Sequence, residues 1–231
     1  MTSSRILLRH RLTISGRVRQ RLTLRKQNMK SELRIAVFIS GSGSNLQSII
    51  DNCASGNIPA RVALVVSSRD DAYGLTRAKN AGIDTAIYRR KEFADSSAAD
   101  DFLVTLLDKY DIDLISLAGY LKMVPAAVIR KFPGRIINIH PGLLPKYGGK
   151  GMYGHFVHEA VIRNKEKETG VTIHIVDEIY DHGQVLAVQK VPVFPEDMPD
   201  ELASRVLKVE HALYPKILKD VVERLIKENK S

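Results

Sequence analysis

The chain has 231 residues, 44% hydrophobic and 26% charged, which is long enough for one domain with a substantial core and excludes a disordered or fibrous protein. No apolar run approaches the roughly 18 residues that span a bilayer, and a single cysteine, Cys53, excludes an intramolecular disulfide and fits a reducing compartment. The net charge of +9 points toward nucleic acid only until its distribution is read: residues 1–30 hold nine Lys or Arg and no Asp or Glu, leaving 26 basic against 26 acidic residues in the remainder.

The leader over residues 1–30 is rich in Ser, Thr and Arg and lacks any strand or helix period. Arg residues interrupt each of its apolar stretches, which argues against a secretory signal. Three readings stay open: a start upstream of a true one at Met29, an organelle transit peptide, and a basic nucleic-acid arm. A single domain over 31–231 is expected after it.

From Leu33 onward, short β-branched runs alternate with segments of helical period, the signature of an α/β fold with a doubly wound, mostly parallel sheet. Strands are predicted over Leu33–Ile39, Arg61–Ser67, Asp84–Tyr88, Asp113–Leu117, Arg135–Ile139, Gly170–Val176 and Val185–Val191. Helices are predicted to begin near Asn45, Ala72, Ser97, Pro125, His155 and Asp200. Only a Gly-containing turn separates the last two strands, so they are expected to form an antiparallel pair at the sheet edge. Cys53 falls on an ordinary helix with no activating charge beside it.

The first strand leads into Gly41, Ser42, Gly43, Ser44 and Asn45, and then a helix whose apolar positions are Leu46, Ile49 and Ile50. Such a turn aims backbone N–H groups and a helix dipole at an anion. Leu46 occupies the sixth position of G-x-G-x-x-G and there is no P-loop lysine, so one phosphate fits better than a dinucleotide, while a plain tight connection stays possible.

Alternation along Ile136, Ile137, Asn138, Ile139 and His140 puts Asn138 and His140 on one face of a strand that Pro141 and Gly142 end. Ligands of open α/β sheets bind beyond the carboxyl ends of strands. There a histidine can move a proton near neutral pH and an asparagine amide can donate to an oxyanion, although the same two groups would also serve as loop caps. The glycine-rich run from Leu143 to Gly151 reads as a mobile loop over such a site. His155 and His158 share a helix face but have no further ligand cluster, so zinc is not expected.

Asp177, Glu178 and Asp181 lie in a polar turn between the last two strands, where a carboxylate could orient an imidazole or simply be solvated. Pro215 is expected to interrupt the final long helix, leaving Glu210 and His211 where a sugar hydroxyl could be met.

The order of these pieces is specific: G-S-G-S-N-L at 41–46, L-A-G-Y at 117–120, N-I-H-P-G-L-L-P at 138–145, D-E-x-x-D-x-G at 177–183 and E-H-A-L-Y-P at 210–215. From Leu33 to about Ile226 the chain resembles the folate-dependent phosphoribosylglycinamide formyltransferases. The resemblance implies a Rossmann-like catalytic domain over 31–231 acting in purine biosynthesis. It would use 10-formyltetrahydrofolate as co-substrate and glycinamide ribonucleotide as substrate, with no metal, nucleic acid or membrane partner. It implies a catalytic trio of Asn138, His140 and Asp181, with protonated His140 and Asn138 holding an oxyanion. Gly41, Ser42, Gly43, Ser44 and Asn45 would hold the phosphate and Glu210 the ribose, while Leu121, Lys122, Met123, Val124, Asp177 and Glu178 would line the folate pocket. A monomer or homodimer in the cytoplasm is expected, or an organelle if residues 1–28 are a transit peptide. Three departures stand out: Gly142 where the family usually has Ser, Lys122 where Arg is common, and a lengthened loop from Gly148 to Gly154. Methionyl-tRNA formyltransferase and formyltetrahydrofolate hydrolase share the donor, but the extra domain of each does not fit in this length.

Deleting residues 1–28 should leave activity and melting temperature nearly unchanged, because the segment lacks the apolar period needed to dock on a core. A large loss of either in the truncated protein would show the leader to be structural.

Overall fold

A computed structural model describes residues 32–229, and the predicted leader lies outside them. Strand β1 (Leu33–Ile39) is apolar at almost every position and buried on both faces, as a central parallel strand must be. It pairs in parallel with β2 (Ala60–Ser67) on one side and β4 (Leu114–Leu117) on the other. Adding β3 (Thr85–Ile87), β5 (Ile136–His140), β6 (Glu168–Ile175) and β7 (Val185–Pro192) gives the order β3-β2-β1-β4-β5-β6-β7. The sheet is parallel through β5, whereas β6 runs antiparallel to both β5 and β7. The expected antiparallel edge pair is therefore present.

Alternating side chains of β1 feed two cores. Ile35, Val37 and Ile39 pack beneath helices α1 (Ser44–Ala54), α2 (Tyr73–Asn80), α5 (His155–Arg163) and α6 (Pro199–Glu228). Ala36 and Phe38 face α3 (Ser96–Lys109) and α4 (Ala126–Lys131) on the other side. The chain winds outward from β1 through β2 to β3, then returns to β4 on the opposite side of β1. Strand order thus reverses between β1 and β4, and a crevice opens beyond their carboxyl ends.

One sequence expectation fails here. Pro215 does not interrupt the last helix, which runs unbroken from Pro199 to Glu228. Proline removes the N–H that would bond the carbonyl four residues earlier, that of His211. The Ser48 hydroxyl on α1 donates to that carbonyl at 3.1 Å, so the orphaned acceptor is satisfied from a neighbouring helix. Tyr214, wholly buried, ties α6 to the sheet through its hydroxyl, which donates toward the carbonyls of Leu117 and Ile137, both at 3.1 Å, and accepts from Ser116 Oγ at 2.8 Å. Glu210, one turn earlier, is thereby held at the sheet end.

If Ser48 compensates for Pro215, Ser48→Ala should cost about 1 kcal/mol of stability in urea denaturation, the size of one hydrogen bond to a partly buried acceptor. In a Pro215→Ala background, where residue 215 regains its N–H, the same substitution should cost clearly less. Equal costs in the two backgrounds would mean the two residues are uncoupled.

Candidate active site

The crevice holds a cavity of about 840 Å³. Its walls come from the β1–α1 turn, the segment after β4, the end of β5, the loop before α5, the β6–β7 loop, and one face of α6 ending at Glu210.

At one end lies the glycine turn. Gly43 takes φ 69°, a left-handed conformation that favours glycine, and no side chain caps α1, so its first-turn N–H groups keep their hydrogen-bonding capacity. A Cβ on Gly43 would meet the Gly74 Cα at 2.6 Å, so the turn sits against the start of α2 backbone to backbone. Asn45 is 8% exposed; its Nδ2 donates to Glu210 Oε2 at 2.6 Å while its Oδ1, buried, has no partner. Burial pushes the Glu210 carboxyl up to about 7, although the Asn45 hydrogen bond opposes the shift.

At the middle of the crevice the register of β5 against β6 sets Asn138 opposite His174 and His140 opposite Thr172. His174 Nδ1 lies 2.8 Å from the carbonyl of Ile175, which accepts from it; in the neutral ring Nε2 is then an acceptor, 3.1 Å from Asn138 Nδ2. One amide N–H of Asn138 is thus pinned and the second is left for the cavity. His140 is 3% exposed, and its Nε2 donates to the Tyr147 carbonyl at 2.6 Å, which puts the lone pair of the neutral ring on Nδ1. That carbonyl is itself held in place: the Tyr147 phenol donates to Glu166 at 2.7 Å and accepts from Asn164 at 3.1 Å.

Asp181 comes in from the β6–β7 loop with φ 52°. Its Oδ2 accepts the Gly149 N–H at 2.9 Å and stands 3.7 Å from His140 Nδ1, while Oδ1 stands 3.5 Å from His174 Nε2. Gly148 makes this approach possible, since a Cβ there would lie 3.0 Å from the Asp181 Cβ. Burial pushes the Asp181 carboxyl up, but His174, His140 and the Gly149 N–H outweigh it, so the group stays below its ordinary value and ionised. For His140 the balance is opposite: burial lowers its pKa more than Asp181 and the Tyr147 carbonyl raise it. The resting imidazole is therefore neutral at neutral pH.

The structure brings Asn138, His140 and Asp181 into one cavity with Gly41 to Asn45, Glu210, Leu121, Lys122, Met123, Val124 and Asp177. Glu178 is not in its wall; it forms an exposed ion pair with Arg130 at 3.4 Å. Gly142 packs beneath His140, and a side chain there would meet Nε2 at 3.2 Å and Val157 Cγ1 at 2.9 Å. His158 lines the cavity, 4% exposed and with Nδ1 unpartnered; burial, with His155 and His140 adding to it, pushes it down to about 4. His155 also lines the cavity and lies within ion-pair distance of Glu159 and Asp200. Among the described residues no cluster of three or more His, Cys, Asp or Glu side chains could hold a metal ion, and no helix is long and apolar enough to cross a membrane. The sequence reading missed His174. Its signal was present as two polar residues, Thr172 and His174, alternating through the apolar run Gly170 to Val176.

The strand-end Asn138 and His140, the inward Asp181 carboxylate and the glycine turn that begins α1 thus share one cavity at the carboxyl edge of the sheet. Residues 33–218 match the Formyl transferase family, and the chain belongs to it. It is 45% identical over 186 residues to the phosphoribosylglycinamide formyltransferase of Haemophilus influenzae, an alignment spanning 80% of this chain and 85% of that one. To the chloroplastic phosphoribosylglycinamide formyltransferase of Arabidopsis thaliana it is 42% identical over 196 residues, or 84% of this chain and 67% of the relative. The crystal structure of glycinamide ribonucleotide transformylase 1 from Symbiobacterium toebii superposes with a TM-score of 0.78 at 39% identity, covering 84% of this chain and 90% of the other.

A carboxyl whose pKa rises on folding keeps its proton in the folded chain after the unfolded chain has lost it, so it favours folding most at low pH. The stability of the wild type relative to Glu210→Gln should therefore fall as pH rises from 4.5 to about 7 and then level off. Urea denaturation across that window checks it, and a pH-independent difference would contradict the buried, proton-holding state of Glu210.

Proposed function

We propose that this chain transfers the formyl group of 10-formyltetrahydrofolate to the amine of glycinamide ribonucleotide, a step of purine biosynthesis. The observation that carries this reading is the junction of two half-sites in one cavity: an anion-binding turn with Glu210 beside it, and the Asn138, His140 and Asp181 group beside an apolar-lined arm. The first suits a phosphorylated sugar and the second suits acyl chemistry next to a flat heterocycle.

In this reading the phosphate sits on the N–H groups of Gly41 to Asn45 and the ribose hydroxyls meet Glu210, which directs the glycinamide amine toward Asn138 and His140. The folate lies along Leu121 to Val124 and Asp177.

The amine attacks the formyl carbon, and the carbonyl electron pair moves to oxygen. The free N–H of Asn138 donates to that oxyanion without needing to reorient, because His174 holds the amide. The nitrogen that attacked now carries a surplus proton, and His140 Nδ1, the basic position left by the Tyr147 hydrogen bond, takes it directly or through water. The imidazolium so formed has Asp181 on one side and the oxyanion on the other, both of which favour the charge. As the bond from carbon to the folate nitrogen breaks, the carbonyl re-forms and His140 returns the proton to that nitrogen. The cation arises within the reaction, which is why a neutral resting His140 is compatible with the role.

The chain is read as cytoplasmic, with an organelle as the alternative if residues 1–28 are a transit peptide; the N-terminus of the native protein decides, a start at Met29 or Lys30 favouring the first. The oligomer is read as a monomer or homodimer, checked by sedimentation.

The test of the function is direct. Purified protein with both substrates should deformylate the folate only when the ribonucleotide is present, and turnover without it would mark a hydrolase instead. Asn138→Ala should lower kcat by about 10²- to 10³-fold with little change in KM, and His140→Ala by at least as much. Asp181→Asn should be strongly impaired, yet combined with His140→Ala should lose far less than the product of the two single effects. The acid limb of kcat/KM should lie below the ordinary histidine value of 6.5 and vanish in His140→Ala. Multiplicative losses would remove Asp181 from partnership with His140.

A further inference from the structure

The anion-binding turn lacks a cation of its own: Gly41, Ser42, Gly43, Ser44 and Asn45 are neutral, and no P-loop lysine follows. A positive side chain nevertheless reaches it from behind. Arg77, half-buried on α2, donates through Nε to the Ser42 carbonyl at 3.0 Å and through Nη1 to Gln47 Oε1 at 3.4 Å, and its guanidinium lies 5.0 Å from the Tyr73 ring centre. These partners are neutral, so no carboxylate among them cancels the charge. Next to it the Gly74 N–H donates to the Gly41 carbonyl at 3.1 Å, and the Gly43 and Gly74 backbones touch.

Two consequences follow from elementary electrostatics. A carbonyl facing a phosphate repels it, and α2 draws the carbonyls of both Gly41 and Ser42 toward itself, which leaves the N–H edges of the turn for the cavity. A guanidinium one carbonyl away from the turn also lowers the cost of placing a doubly charged anion on a turn whose own residues are neutral. Arg77 does not line the cavity. Asn45, buried, lining the cavity and with Oδ1 unpartnered, independently marks this end as built for a ligand.

We infer that Arg77 is a positioning residue for the phosphate of the ribonucleotide, holding the Ser42 carbonyl out of the anion site and supplying the positive field that the turn itself lacks. The inference rests on the reading of residues 41–45 as the phosphate site and names the residue that makes a lysine-free turn sufficient. It also accounts for Tyr73, more than half exposed, whose ring supports the guanidinium from the solvent side.

The experiment measures KM for each substrate, kcat, and competitive inhibition by inorganic phosphate, in the full chain, over a series of chloride concentrations. Arg77→Gln should raise the KM for the ribonucleotide and the inhibition constant for phosphate about tenfold, through the lost positive field and the released Ser42 carbonyl. The KM for the folate and kcat should change less than about twofold. Arg77→Lys keeps the charge but not the fork, so it should recover part of the phosphate affinity and, unlike Arg77→Gln, the steep weakening of that affinity with salt. A purely structural role for Arg77 would damage both substrates alike and leave the salt dependence unchanged, and that result overturns the inference. If Arg77→Gln does not fold, Arg77→Lys and the salt series on the wild type still decide, because phosphate inhibition insensitive to chloride also overturns it. Ser44→Glu, which puts a negative charge in the turn, separates the two layers. If Ser44→Glu abolishes phosphate inhibition while Arg77→Gln leaves it intact, the phosphate site stands and Arg77 has no part in it. If neither changes it, residues 41–45 are not the phosphate site.

Discussion

The register of β5 against β6 is the constraint on which the active site depends. Antiparallel pairing sets Asn138 opposite His174 and His140 opposite Thr172, and each pair has a task. His174 spends one N–H of Asn138, and Thr172 donates to the Gly142 carbonyl at 2.7 Å, which fixes the chain just after His140 leaves the strand. A slip of one residue would turn Ile137 and Ile139 into the crevice and bury both polar groups in the apolar core beneath α1 and α6. The apolar alternation that builds the core is therefore the same pattern that aims the chemistry.

Charge in this cavity is arranged so that little of it stands free at rest. His140 is neutral because burial outweighs its attraction to Asp181, and the Asp181 carboxyl stays below its ordinary value because the His174 and His140 rings and the Gly149 N–H that surround it outweigh burial. At the other end Glu210 holds its proton up to about pH 7, sharing a hydrogen bond with Asn45. A buried site tolerates such groups when they are hydrogen-bonded, and most of these are. The exceptions, Asn45 Oδ1 and His158 Nδ1, both belong to residues in the cavity wall, where a ligand can supply the missing partner.

Close backbone approach supports the geometry in two places. Gly43 against Gly74 lets α2 reach the anion-binding turn, and Gly148 lets the loop before α5 lie on Asp181. At the first point two backbones distant in sequence meet directly, and at the second a backbone meets the Asp181 side chain. The turn and the loop thus gain rigidity from neighbours that the linear order does not place beside them, as the last helix does at Pro215, where Ser48 replaces a hydrogen bond the proline cannot make.

Much of this was legible in the sequence. Strand and helix starts follow from hydrophobic period and from Gly and Pro punctuation, so the predicted elements differ from the observed ones by no more than a residue or two, and the antiparallel edge follows from a connection too short for a crossover. Asn138, His140 and the glycine turn were visible because strand alternation and strand-end position are local properties. Three things were not. The continuity of the helix through Pro215 depends on a hydroxyl contributed by another helix. The part played by His174 depends on which residue lies across the β5–β6 ladder. The neutral state of His140 and the proton held by Glu210 depend on burial, which is a sum over every element packed around them. Local chain preferences fix the elements and the side chains they display; partners and protonation states come from contacts between residues far apart in the chain, and only the folded structure decides them.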